Sequence, residues 1–287
     1  MSAPPRVVAR ERRDLLGEGP LWSSRENALF WVDILAHKVN RLSLADETVA
    51  SWTMPEMIGW LIEREHAPGF IAGMQSGFAE LTLDPLRIVA LVDPEPERPQ
   101  NRLNDAKADC YGRIWAGSMS VAANEPGGAL YRFDPDRTVT RVDARYTIAN
   151  GPAVSPDGSV LYHTDSARGV IFRFRVDAHG RLHERRTFIE FEASWGKPDG
   201  MTLDCEGGLW VAHYGGARVS RFHDDGRLDR SIALPASQIT SCTFAGAGLE
   251  RMFVTSAADG AEHETHAGAL FEVDAGVRGW APHRFAG

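Results

Sequence analysis

Lysine is almost missing from this chain: only Lys38, Lys107 and Lys197 occur, against many arginines, a composition bias rather than a functional mark. Cysteine is scarce too. Cys110, Cys205 and Cys242 cannot all pair and none forms a C-x-x-C, which argues against a disulfide framework and a zinc knuckle. We read them as reduced thiols of a cytoplasmic protein. No apolar run reaches the roughly 18 residues of a membrane-spanning helix, and the opening "MSAPPRVVARERRD" lacks the apolar core of a signal peptide. Blocks of like charge are absent and the formal net charge is −8, so nucleic acid and anionic membranes are poor partners. Helical periodicity is also lacking: no long stretch places apolar residues at i, i+3, i+4 and i+7.

What remains is short runs rich in Val, Ile, Leu, Phe, Trp and Tyr, bounded by Gly, Asp, Pro and Asn, the pattern of an all-β chain. The runs recur as units. "GRIWAGSM" at Gly112, "GSVLYHTD" at Gly158, "GGLWVAHY" at Gly207 and "ERMFVTSA" at Glu250 read as one strand repeated, with "NALFWVDI" and "PGFIAGMQ" as further copies. Each is followed by another strand, such as "GALYRFDP" or "GALFEVDA". Unit starts fall at Glu18, near Ile58, and at Asp105, Asn150, Asp199 and Ser241, intervals of 40 to 49 residues. A multi-strand repeat of that length predicts a six-bladed β-propeller. It fills residues 1–287 as a single domain. The segment before Glu18 is expected to supply the outer strand of the last blade, which removes an exposed edge.

In a propeller the innermost strands run along the axis, so residues at their starts meet at one mouth. Glu18-Gly19, Asn104-Asp105, Asn150-Gly151 and Asp199-Gly200 hold that place in blades one, three, four and five. Carboxylates crowded together repel unless a cation neutralises them. Glu18, Asn150 and Asp199 are oxygen donors that suit one divalent ion, Ca²⁺, Mg²⁺, Mn²⁺, Zn²⁺ or Fe²⁺. Three protein ligands leave positions for water and substrate.

Through these stretches the chain resembles the gluconolactonase/regucalcin (senescence marker protein) family. The resemblance rests on "LGEGPLW" from Leu16, "NRLNDAKADCYGRIWAGSM" from Asn101, "NGPAVSPDGSVLYHTDS" from Asn150 and "PDGMTLDCEGGLWVAHYGGARVSRF" from Pro198. It extends to the C-terminal "GVRGWAPHRFAG" and covers essentially the whole chain. It implies a six-bladed propeller that hydrolyses sugar lactones. It also implies Glu18, Asn150 and Asp199 as metal ligands, Asp199 as the base acting on water, and Arg102 and Asn104 as substrate contacts, with Asp105 beside them. Two departures stand out: Ala106 follows the N-D pair where glycine is frequent, and the position near Ala122 lacks a substrate-contacting glutamate, for which Glu125 is a candidate replacement.

The expected chemistry is metal-assisted hydrolysis of an aldonolactone to the aldonic acid, with a small-molecule sugar lactone as partner. Two rivals stand beside it: hydrolysis of other activated esters such as organophosphates, and a non-catalytic calcium-binding or interaction propeller. No Ser-His-Asp set with plausible neighbours emerges. His163 and His213, mid-strand in equivalent places, read as packed residues, though His213 and Tyr214 are candidates for the pocket mouth. "HETHAG" from His263 lacks H-E-x-x-H spacing and reads as a surface loop. Trp115 and Trp210 read as core.

Overall fold

The structure, a computed structural model, describes residues 4–287; Met1, Ser2 and Ala3, the start of the segment inspected for a leader, lie outside the described residues. Six four-stranded antiparallel sheets, one per sequence repeat, make the six-bladed β-propeller class. Among the described residues there is no α-helix, only two 3₁₀ turns at Ser166–Arg168 and Ala193–Trp195. No described helix is long and apolar enough to cross a membrane.

By packing, the chain divides into two compact units. The first, residues 1–53 and 191–282, holds three blades. Their inner strands are Gly17–Ser23 (blade 1), Lys197–Leu203 (blade 5) and Ile239–Ala245 (blade 6). The second, residues 54–190 and 283–287, holds the others. Its inner strands are Ile58–Glu63 (blade 2), Asn101–Ala108 (blade 3) and Ala149–Val154 (blade 4).

Blade 6 closes as the sequence suggested. Arg6–Val7 adds to its outer edge, Arg6 opposite Glu272 and Val7 opposite Phe271. The Arg6 guanidinium holds both Glu272 and Glu47. In the second unit the last residues are anchored instead by packing: Phe285 stacks on Phe133 at 5.0 Å, and Arg284 pairs with Glu63 at 3.0 Å.

The repeated Asp-x-x-Gly turns have a physical explanation. Asp109 Oδ1 accepts from the Tyr111 and Arg113 amides, which pins the turn, while Oδ2 accepts from Arg113 Nε (2.7 Å) and the Trp115 indole (2.8 Å). Asp204 repeats the device with the Glu206 and Gly208 amides, Trp210 (2.8 Å) and Arg221 (2.6 Å). One carboxylate thus fixes a hairpin and aims a core tryptophan. Burial alone would push Asp204 up, yet hydrogen bonds from Arg221, Gly208 and Trp210 hold its carboxyl below the usual range. Trp115 and Trp210 are fully buried, as expected.

The apolar core lies between neighbouring sheets within each unit. Trp210, Ile239, Phe244, Met252 and Phe271 join blades 5 and 6. Trp60, Phe78, Ile114 and Phe133 join blades 2 and 3. Each such side chain contributes roughly 2–3 kcal/mol by leaving water.

Candidate functional site

All six inner strands lose register near their starts. The shifts fall between Glu18 and Leu21, Ile58 and Trp60, Leu103 and Ala106, Asn150 and Ala153, Pro198 and Met201, and Ile239 and Ser241. A bulge bends its strand and re-aims the local side chains, and the residues singled out from sequence sit at these bulges. The ladder refines their equivalence. Glu18 and Asn150 are the last paired residues, opposite Val32 and Thr164, whereas Asp199 lies one place beyond Pro198, which is opposite His213. Matching the Asx-Gly dipeptides had aligned the glycines; the pairing instead aligns Gly19 and Gly151 with Asp199.

In the first unit Glu18 and Asp199 are each 5% exposed. The Gly19 amide donates to Glu18 Oε2 at 3.0 Å. The inner strand of blade 6 packs against both strands that carry these carboxylates. Thr240 Oγ1 donates to Gly17 O at 2.5 Å on one side. On the other, a Cβ at Gly200 would lie 2.1 Å from Ser241 Oγ, so only glycine permits this approach. Burial raises the Tyr214 phenol above its ordinary range, and the charges of Asp199, Asp259 and Glu18 raise it further. Both carboxylates therefore act on one phenol.

The second unit carries a chain of polar contacts. Arg102 Nη1 donates to Asn104 Oδ1 at 2.5 Å and to Leu103 O at 3.2 Å. Asn104 Nδ2 donates to Ala149 O and to Asn150 Oδ1, both at 2.7 Å. Asn150 Nδ2 donates to Ser166 Oγ at 2.9 Å. The chain fixes which end of Asn150 is oxygen, and a carbonyl oxygen has a second lone pair to offer a cation. A Cβ at Gly59 would come within 2.6 Å of Asn104 O, so blade 2 supports this strand by close backbone approach. Asp105 is buried; one oxygen accepts from the Ala106 amide at 2.7 Å and the other meets no donor among the described residues. Burial pushes its carboxyl up to about 6 against the opposing pull of Lys107.

Sequence inspection passed over Asn101. It lines a cavity of about 350 Å³ with Glu56, Glu95, Arg98 and Arg102. Its only signal was a polar residue where strand alternation expects an apolar one. Glu125 and Ala122 lie on an exposed loop. His213 is packed, its ring 4.6 Å from that of Phe191, and His163 is fully buried beside Tyr146. His263 is exposed, and Cys110 and Cys205 are exposed free thiols.

Each unit offers oxygen donors of the kind a hard divalent cation takes: two buried carboxylates, Glu18 and Asp199, in the first, and in the second the Asn150 amide oxygen, whose orientation is fixed. Among the described residues no three His, Cys, Asp or Glu side chains gather to hold a metal; the set read from sequence has an amide as its third member.

The fold is that of a six-bladed propeller, and comparison with known proteins gives its class. The profile of the SMP-30/Gluconolactonase/LRE-like region matches residues 16–258. The chain belongs to that family. It is 34% identical over 279 residues to the 6-deoxy-6-sulfogluconolactonase of Pseudomonas putida, covering 95% of this chain and 96% of that one. It is 34% identical over 290 residues to regucalcin of Danio rerio, covering 98% and 97%. The crystal structure of a calcium-binding protein, regucalcin, from Agrobacterium tumefaciens superposes with a TM-score of 0.91 at 27% identity, covering 99% of this chain and 97% of that one.

Proposed function

We propose that the chain hydrolyses a sugar lactone to the open sugar acid, as one domain over residues 1–287 whose two units each supply part of the machinery. Glu18, Asn150 and Asp199 are assigned to one divalent cation. Bound there, such an ion supplies Lewis acidity toward the lactone carbonyl and lowers the pKa of water. Asp199 takes a proton from the attacking water and returns it to the ring oxygen as the ester bond breaks. Arg102 and Asn104 orient the lactone, with Asp105 beside them as a further acceptor.

The observation that carries this reading is the polar chain from Arg102 through Asn104 to Asn150. It ties a residue assigned to substrate directly to one assigned to metal, inside a buried setting. A structural cation site alone does not call for the guanidinium at its end. The names of the relatives add support, two of them describing lactonases or calcium binding.

The test is a panel of sugar lactones run beside a phosphotriester. Hydrolysis of lactones with little or no phosphotriester turnover is expected. The reverse preference would favour the activated-ester alternative, and metal-dependent melting without any hydrolysis would favour a binding propeller.

A further inference from the structure

The segment 8–16 carries the chain from the outer edge of blade 6 to the inner strand of blade 1. Along its course residues 9–15 form one wall of a cavity of about 710 Å³, whose other wall comes from blade 1 at Asp33, Lys38, Asn40 and Ser51. The cavity lies wholly within the first unit and has the size of a small-ligand pocket. None of the residues assigned to the lactone site lines it.

Four cations and three carboxylates face this space, and they divide by what they already hold. Asp14 is buried and takes Arg10 Nη1 at 2.8 Å, Arg10 Nη2 at 2.7 Å and the Trp31 indole at 2.9 Å. Arg10 Nη2 also donates to Gly268 O. Asp33 is buried and accepts from the Leu15, Leu16 and Ala36 amides at 2.9, 3.1 and 3.1 Å. These groups are closed on one another and build the pocket. The remaining four face outward. Glu11 and Arg12 are exposed and form no hydrogen bond or ion pair through their side chains among the described residues. Arg13 is exposed and reaches only Glu264 O, at 3.5 Å. Half-buried Lys38 meets only the neutral Thr53 hydroxyl, at 3.3 Å.

Three cations and one carboxylate therefore remain for an occupant, an excess of two positive charges. This concentration runs against the chain as a whole, whose formal net charge is −8. A local field of that kind gathers anions. Two positive charges match a phosphate monoester, which carries about −1.5 to −2 near pH 7. Guanidinium forks meet phosphoryl oxygens in pairs, and the lysine ammonium adds a point charge. Ala9, Leu15 and Val49 give the same cavity apolar wall for a short carbon skeleton, Leu15 being 42% exposed.

We infer that this cavity is a binding site for a small phosphate monoester, held at its phosphoryl group by Arg12, Arg13 and Lys38. The site is independent of the lactonase reading, since it uses no residue assigned there.

The experiment is isothermal titration of the full chain with glycerol 3-phosphate, inorganic phosphate and glycerol, at low ionic strength where exposed charges are least screened. Saturable binding of glycerol 3-phosphate and none of glycerol is expected. Arg12→Ala and Arg13→Ala should each weaken it by at least about tenfold, the scale of one lost hydrogen bond to a charged group. Both side chains are exposed, and circular dichroism checks that the variants fold. Arg41→Ala removes the same charge from an ion pair with Glu26 outside the cavity and should bind as wild type does. Inorganic phosphate binding as tightly as the ester would support the site and assign recognition to the phosphoryl group alone; weaker binding would bring the carbon skeleton into it. No saturable binding of either phosphate by the wild type would overturn the inference. So would glycerol binding as well as its phosphate, or an equal loss in Arg41→Ala. Absence of lactone hydrolysis would leave it untouched.

Discussion

Blades 2 and 5 are built from the same four-stranded unit, yet they use their polar atoms in opposite ways. Blade 5 places Asp199 on its bulge and Asp204 at its first turn, where the latter holds Trp210 and Arg221. Blade 2 places Gly59 on its bulge. Its tryptophan, Trp60, sits on the inner strand against Gly73, with an indole N–H that meets no acceptor among the described residues. One repeat carries the proposed base and is braced by charge; the other is given to packing and to a close backbone approach to Asn104. The backbone plan tolerates both because its sheets are held by ladders and by apolar contact between neighbouring sheets.

The largest expected effect falls on blade 5. Asp199→Asn removes the proposed base while keeping size and most hydrogen bonding. It should lower kcat on a sugar lactone by at least about a thousandfold, measured by steady-state kinetics alongside an unchanged circular dichroism spectrum. A kcat near that of wild type would remove Asp199 from the base role.

Stability separates the same two blades. Asp204→Ala removes the acceptor of Trp210 and of the turn amides, while Arg221 keeps Asp229 (2.9 Å) and Glu206 (3.1 Å). Losing several buried hydrogen bonds at about 1 kcal/mol each costs roughly 3–5 kcal/mol, which should lower the melting temperature by about 10 °C. A loss of only a degree or two would show that the turn carboxylate is dispensable.

Protonation gives a third, smaller effect, in blade 4. Burial, with the Arg185 charge adding to it, holds the His163 imidazole down at about 3 from an ordinary value of 6.5. The unfolded chain therefore binds a proton below about pH 6.5 that the folded chain refuses until about pH 3. Stability should fall as pH drops from 6.5 to 4, by on the order of 3 kcal/mol from this residue. His163→Leu should flatten the fall in melting temperature between pH 6.5 and 4. Parallel curves for the two proteins would refute the role of this imidazole.

The smallest effect sharpens the comparison most finely. Trp60→Phe and Trp210→Phe remove the same atoms from equally buried sites. Only the second leaves a carboxylate short of a donor. Trp210→Phe should cost about 1–2 kcal/mol more, read from chemical denaturation. Equal costs would mean that the bond to Asp204 adds nothing net.

Much of this was legible in the sequence because its signals are local or periodic. The strand repeats, the Asp-x-x-Gly turns and the polar residues at every unit start but that of blade 2 are of this kind, and the pairing of Arg6–Val7 with blade 6 followed from the need to cover an edge. Other features depend on partners far apart in the chain. The one-residue offset of Asp199 from Glu18 and Asn150 depends on the ladder register. That Asn104 orients Asn150 across 46 positions, and that Gly127 and Glu95 lock Asn101, are contacts no spacing rule announces.

The central claim is that Glu18, Asn150 and Asp199 serve one divalent cation needed for lactone hydrolysis. It is tested most directly by stripping the protein of metal with a chelator and following glucono-δ-lactone hydrolysis as single cations are returned. The expected result is loss of activity on stripping and recovery with at least one of Ca²⁺, Mg²⁺, Mn²⁺, Zn²⁺ or Fe²⁺, with Glu18→Gln needing more of that ion for half recovery. Full hydrolysis by the stripped protein would contradict it.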